Sequence, residues 1–108
     1  MMNERVHELL NDQINKEFYS AYLYLDFSNY FKARGLDGFA NWYMIQAQEE
    51  RDHAMLFYQF LQNESKAVTL KAIDKPDKEL TSDMDGLLAG LVLVSVVLLV
   101  FTHCVNCL

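Results

Sequence analysis

Cysteine, proline and glycine are all scarce in this chain of 108 residues, which has two Cys, one Pro and four Gly. Proline and glycine interrupt regular helices, so their scarcity predicts a largely helical protein. Both cysteines, Cys104 and Cys107, lie near the end of the sequence. They do not form the disulfide framework of a small secreted domain, and this favours a reducing, cytoplasmic location.

Positive charge is also scarce, since the sequence contains 9 Lys and Arg but 15 Asp and Glu, which gives a net charge of -6 at pH 7. Proteins that bind nucleic acids need a basic surface for the phosphates, so a nucleic-acid partner is not expected. An acidic chain is suited to binding cations. The first residues, from Met1 to Glu8, carry charges where a secretory signal peptide needs an apolar run, so export is not expected either.

Apolar residues recur at helical spacing in two segments, residues 3–32 and 37–63, which predict two long helices. Gly35 is the expected C-cap of the first helix, and Asp37 is the expected N-cap of the second. Because the turn between them is short, the helices are expected to form an antiparallel pair. The predicted apolar stripes are Val6, Leu10, Ile14, Glu17, Ala21, Tyr24 and Ser28 in the first helix, and Phe39, Tyr43, Gln46, Glu50, His53, Phe57 and Leu61 in the second.

The rest of the sequence does not continue this pattern. Residues 64–80 form a connection longer than the roughly two to eight residues that usually join bundle helices, so they predict a crossover along the bundle. The next element would then run parallel to the second helix. The expected division is a helix pair plus crossover at 1–82 and an apolar C-terminal helix or tail at 83–108.

Residues 86–108 contain no Asp, Glu, Lys or Arg. Their length suits a membrane span of about 20 residues, but no basic residues flank them and Asp83 and Asp85 come directly before. The preferred interpretation is a buried bundle helix without a polar face, and a membrane anchor is the alternative. Cys104 and Cys107 have the spacing of zinc and redox pairs, although a frayed end with free thiols is the preferred interpretation.

The candidate functional residues are Glu17, Glu50 and His53, which are polar positions within the two apolar stripes. A buried carboxylate is costly unless it is paired or bound to a metal. Helical di-iron proteins take one Glu from each of two helices and a Glu-x-x-His pair from each of the other two. These three residues therefore predict half of such a site, and the imidazole favours iron over calcium or magnesium.

Each residue also has a plainer interpretation. Glu17 would be a polar residue at the edge of its stripe, and His53 would be a core histidine bonded to a neighbour. Tyr24 lies further along the face that carries Glu17 and is expected to be a catalytic residue together with Glu17, Glu50 and His53. Glu49 is either a solvated carboxylate or an accessory metal ligand on an iron path.

Residues 13–25, 35–42 and 46–55 are similar to the first two helices of the bacterial non-haem ferritins, and residues 68–76 resemble their long crossover. The resemblance covers roughly residues 3–82. It implies that Glu17, Glu50 and His53 ligate the first iron of a ferroxidase centre, with Tyr24 beside it and Glu49 at a third iron position. It also implies an up-down-down-up bundle and a hollow shell of many subunits that stores ferric mineral.

The family continues into a third helix with a Glu ligand and a fourth with further carboxylates, whereas this sequence has no acidic residue after Asp85. The expected fold is therefore all-α and ferritin-like but incomplete, with an antiparallel helix pair, a long crossover, an apolar third helix and no fourth helix.

The expected function is iron binding and storage, with oxidation of Fe(II) to Fe(III) by O₂. Because one chain supplies half of the site, a second copy packed about a two-fold axis would complete it, and homo-oligomers are expected to form through helical faces. The alternatives are a non-catalytic ferritin pseudo-subunit and a membrane-tethered helical hairpin.

Overall fold

The computed structural model describes residues 3–76, which form two helices and no strand. Helix α1 spans Glu4–Ala33 and helix α2 spans Asp37–Asn63, so both agree with the predicted segments to within about one residue. Early residues of α1 pack against late residues of α2, and late residues of α1 pack against early ones of α2. The predicted antiparallel pair and the all-α class are confirmed for these residues.

The two helix ends at the short turn differ from the expected caps by one residue. Arg34 is the C-cap of α1, and Gly35 follows it with a φ of 75°, a left-handed conformation that glycine adopts without strain. The amide of Leu36 then donates to the carbonyl of Phe31 at 3.0 Å. The carbonyl of Leu36 accepts from the amide of Ala40 at 3.0 Å, so Leu36 is the N-cap of α2 and the prediction for Asp37 is wrong. The Asp37 carboxylate instead accepts a hydrogen bond from Lys32 at 2.9 Å.

The core between the helices consists of two apolar clusters. The turn-side cluster is mainly aromatic, and the distal cluster at the other end of the pair is mainly aliphatic. In the turn-side cluster, the rings of Phe31 and Tyr43 stack 5.5 Å apart. The turn-side cluster contains Leu23, Tyr24, Phe27, Phe31, Ala40, Tyr43 and Ala47. The distal cluster contains Leu10, Ile14, Ala54, Phe57 and Leu61.

The buried stripe of α2 is rotated from the predicted one. Alanines at positions 40, 47 and 54 are buried, whereas Phe39 is 42% exposed and neither Gln46 nor His53 is fully buried. Small side chains at the contact allow two helices to approach closely, because the interaxial distance depends on what lies between them. The sequence prediction counted only large apolar residues and therefore missed the buried alanines, although it placed Tyr43 and Glu50 correctly on the buried stripe.

The connection after α2 runs along α1 as an extended segment held by side chains of α1. His7 Nε2 donates to the carbonyl of Ala67 at 2.7 Å, and Asn11 both donates to the carbonyl and accepts from the amide of Thr69. Asn15 accepts from the amide of Lys71 at 2.8 Å. Four residues of helix rise about 6 Å and two extended residues about 6.6 Å, so successive contacts stay in register.

This direction agrees with the predicted crossover, since the segment returns along α1. The element to which it leads lies outside the described residues, as do the boundary at 82/83, the expected third helix, the question of a fourth helix and the membrane alternative at 86–108. Within residues 3–76, neither helix combines the length and the apolar character that a membrane crossing requires.

Candidate metal centre

Glu17, Glu50 and His53 meet at the level between the two apolar clusters. One ligand atom from each lies within 4.8 Å of the others. The Nδ1 atom of His53 is 3.8 Å from Oε2 of Glu17 and 3.8 Å from Oε2 of Glu50. The helix pair therefore brings together all three residues that the sequence predicts as metal ligands.

The three side chains are buried to different extents. Glu17 is fully buried and Glu50 is 4% exposed, whereas the side chain of His53 is 28% exposed. Solvent therefore reaches the group from the side of His53, and the two carboxylates lie behind it. A cation that arrives from solution would meet the imidazole first.

The hydrogen bonds leave one oxygen of each carboxylate available. Gln13 Nε2 donates to Oε1 of Glu17 at 2.9 Å. Among residues 3–76, no group donates a hydrogen bond to the buried Oε2 of Glu17 or to that of Glu50. Leaving a buried polar atom without a partner costs about 1–3 kcal/mol, and more for a charged group. Two buried carboxylate oxygens facing one imidazole are a donor set that fits a divalent cation.

Burial also changes the acidity of the group. Burial is the largest cause, and together with the adjacent carboxylates of Glu17 and Glu49 it raises the pKa of Glu50 to about 9. Without a cation, Glu50 therefore holds a proton at neutral pH. Cation binding displaces that proton, because the metal ligand is the ionised carboxylate.

Tyr24 lies near the carboxylates of Glu17 and Glu50, and its catalytic role stays a prediction. It is fully buried, and its ring packs 5.8 Å from that of Tyr43. No described residue hydrogen-bonds its hydroxyl group. Burial raises the pKa of Tyr24, and the charges of Glu50 and Glu17 add to this effect, so the phenol remains protonated beside the site.

Glu49 does not join the group of three. It lies on the exposed side of α2, and its charge reaches the site only by raising the pKa of Glu50. Its accessory role stays a prediction. Gln13 was missed as a site residue, although its position four residues before Glu17 on the same helix was a usable signal.

The comparisons with known proteins all indicate the same family. The sequence model of the family described as ferritin-like domain matches residues 7–92 of this chain. The bacterial non-heme ferritin of Staphylococcus saprophyticus is 33% identical over 91 residues, which cover 84% of this chain and 54% of that protein. The protein of the same name from Campylobacter jejuni is 36% identical over 85 residues, covering 79% and 51%.

A solved structure shows that the similarity extends to the fold. The open-pore ferritin from the hyperthermophilic archaeon Archaeoglobus fulgidus superposes with a TM-score of 0.89 at 37% identity, and the alignment covers 98% of this chain and 65% of that one. The predicted ferritin-like fold and the resemblance to bacterial non-haem ferritins are confirmed. The chain spans about half the length of the curated relatives it matches.

Proposed function

The chain belongs to the ferritin family, and from this membership we propose that it binds and stores iron, with Glu17, Glu50 and His53 as the ligands. The observation that carries the proposal is the group of three ligand atoms within 4.8 Å, in which both carboxylates are buried. Carboxylate oxygens suit hard cations, and the imidazole favours a transition metal such as iron over magnesium or calcium.

We further propose that the site favours oxidation of bound Fe(II) to Fe(III), with O₂ as the electron acceptor. Glu17 and ionised Glu50 bring two negative charges to a site enclosed by apolar clusters. In such surroundings the attraction between charges is stronger than in water, so the carboxylates stabilise Fe(III) more than Fe(II). Iron is here the substrate and the cargo of the protein, and the proton released by Glu50 leaves on the solvent side near His53.

We also propose that the protein forms homo-oligomers through one exposed helical face. Large apolar side chains of both helices and of the crossover lie close together there, and they are about half exposed. Exposed patches of this kind mark association surfaces in soluble proteins. This apolar face contains Tyr22, Leu25, Met44, Ile45 and Ile73. The cytoplasmic location and the contribution of ligands by a second copy stay predictions.

Replacing Glu50 and His53 together by Ala tests the proposed iron site. The double variant should lose Fe(II) binding, measured by anaerobic calorimetry, and should keep its helical circular dichroism because the apolar clusters are untouched. Asp52→Ala, which removes an exposed carboxylate of α2 outside the group, is the matched control and should bind iron like the parent chain.

Two results would change the proposal. Unchanged iron affinity in the double variant would show that the site is elsewhere. Tight Fe(II) binding by the parent chain without consumption of O₂, followed with an oxygen electrode, would favour the non-catalytic ferritin relative instead.

A further inference from the structure

A buried amide side chain lies next to the proposed iron ligands. Gln13 is on α1, four residues before Glu17, and is only 4% exposed. Its Nε2 donates to Oε1 of Glu17 at 2.9 Å. A buried amide is costly without hydrogen bonds, and a hydrogen bond to a carboxylate is among the stronger ones, so this contact is expected to persist.

The contact fixes an orientation that the Glu17 side chain would not fix alone. The last torsion of a glutamate side chain is broad, so the carboxylate plane can rotate and turn both oxygens away from the site. The hydrogen bond from Gln13 occupies Oε1. It leaves Oε2 facing His53, with 3.8 Å between Oε2 and Nδ1.

We propose that Gln13 is a positioning residue that holds the Glu17 carboxylate so that Oε2 is presented to the bound cation. This inference rests on the proposed function of Glu17, Glu50 and His53 as metal ligands. Groups that hydrogen-bond a metal ligand commonly change metal affinity by about 10–100-fold when they are removed.

The chain contains a matched control for this contact. Gln48 Nε2 donates to Oδ1 of Asp52 at 3.0 Å, also across four residues of a helix, but this pair is exposed and outside the group of ligands. Gln48→Met therefore removes the same kind of hydrogen bond from a place where no proposed ligand depends on it.

The test uses Co(II) as the probe, because its visible absorption reports the coordination geometry in addition to the affinity. The full chain is titrated as the parent and as Gln13→Met, Gln13→Asn and Gln48→Met. Met removes the donor at similar size, and Asn keeps the amide but is one methylene too short to reach Glu17. Both Gln13 variants should bind Co(II) about 10–100-fold more weakly with an altered spectrum. Gln48→Met should match the parent.

Each other outcome decides against the proposal. If both Gln13 variants keep the affinity and the spectrum of the parent chain while Glu17→Gln loses binding, the metal site stands and the positioning role falls. The role also falls if a Gln13 variant has a lower unfolding temperature but its folded fraction gives the parent's spectrum, because Gln13 would then be only structural. A folded parent chain that binds no Co(II) overturns the metal site and the positioning role together.

Discussion

Buried polar groups are treated in opposite ways near the turn and in the polar layer, which consists of Glu17, Glu50 and the Tyr24 hydroxyl at the edge of the turn-side cluster. Near the turn, the buried Ser28 donates its hydroxyl to the carbonyl of Ala40 at 2.7 Å. In the polar layer, the buried Oε2 atoms of Glu17 and Glu50 receive no hydrogen bond from the described residues.

The difference separates stability from function along one helix pair. The turn-side cluster contains none of the proposed metal ligands, so it is expected to hold the helices together whether or not iron is present. The polar layer leaves carboxylate oxygens unpaired, which costs stability unless a cation supplies the missing interaction. A site that binds metal tightly is expected to be a weak point of the metal-free fold.

The largest effect is expected from damage to the turn-side cluster. Phe27 is fully buried, and its ring packs edge-on against Tyr43 at 5.4 Å. Phe27→Ala should lower the free energy of unfolding by about 3–5 kcal/mol through lost contacts and a cavity, measured by urea denaturation of the metal-free chain.

The same variant should still bind iron with its original stoichiometry while it remains folded, because no proposed ligand belongs to this cluster. Leu56→Ala, at an exposed position of α2, is the control and should change the free energy of unfolding by less than about 0.5 kcal/mol. Loss of iron binding in folded Phe27→Ala would show that the two regions are not separate.

The next effect has the opposite sign and lies in the polar layer. The pKa of Glu50 is raised from 4.5 to about 9 in the folded chain, so the folded state binds the proton more tightly than the unfolded state does. The contribution of Glu50 to the free energy of unfolding of the metal-free chain should therefore be greatest below pH 4.5. This contribution should fall as the pH rises towards 9.

Glu50→Gln, which mimics the protonated carboxyl, should remove this dependence on pH. We expect it to stabilise the metal-free chain at pH 8 by on the order of 2 kcal/mol while abolishing iron binding. Thermal unfolding at pH 5 and pH 8 measures the difference, and Glu8→Gln, at an exposed position of α1, controls for the change in net charge. If Glu50→Gln and the parent chain showed the same dependence of stability on pH, the proposal that the metal-binding carboxylate destabilises the metal-free fold would be contradicted.

The sequence predicts the regular parts of this arrangement better than the irregular ones. The spacing of apolar residues predicted both helices, and the Glu-x-x-His spacing predicted that Glu50 and His53 lie on one face, because both depend only on helix geometry. Sequence alone does not fix the relative depth of the two carboxylates, because a rise of about 1.5 Å per residue, counted from the turn near residue 36, places Glu17 and Glu50 about 7 Å apart. Only the packing of the two helices shows that they meet.

Other features depend on contacts between distant residues. The hydrogen bonds that Asn11 and Asn15 accept from the amides of Thr69 and Lys71 join positions more than fifty residues apart, so no local sequence pattern indicates them. The rotation of the α2 stripe follows from buried alanines, which carry little weight when apolar residues are counted. The contact of Gln13 with Glu17 is different, because it spans only four residues of one helix and the spacing was a usable signal.

The smallest effect on the fold is expected at the apolar face, which lies outside both regions compared above. Ile45 is 48% exposed, so Ile45→Lys should change the free energy of unfolding of the single chain by less than about 0.5 kcal/mol. If this face joins copies of the chain, however, each contact would bury a lysine charge against apolar side chains, and association should weaken strongly. Sedimentation over a range of concentrations should then show smaller species for Ile45→Lys than for the parent chain, with iron binding per chain retained.

Lys at position 45 also changes the net charge, so Gln59→Lys, at an exposed position of α2 outside the apolar face, is the matched control and should sediment like the parent. Unchanged sedimentation of Ile45→Lys would mean that the oligomer, if one forms, uses another surface, because a buried lysine in the contact would not leave the assembly intact.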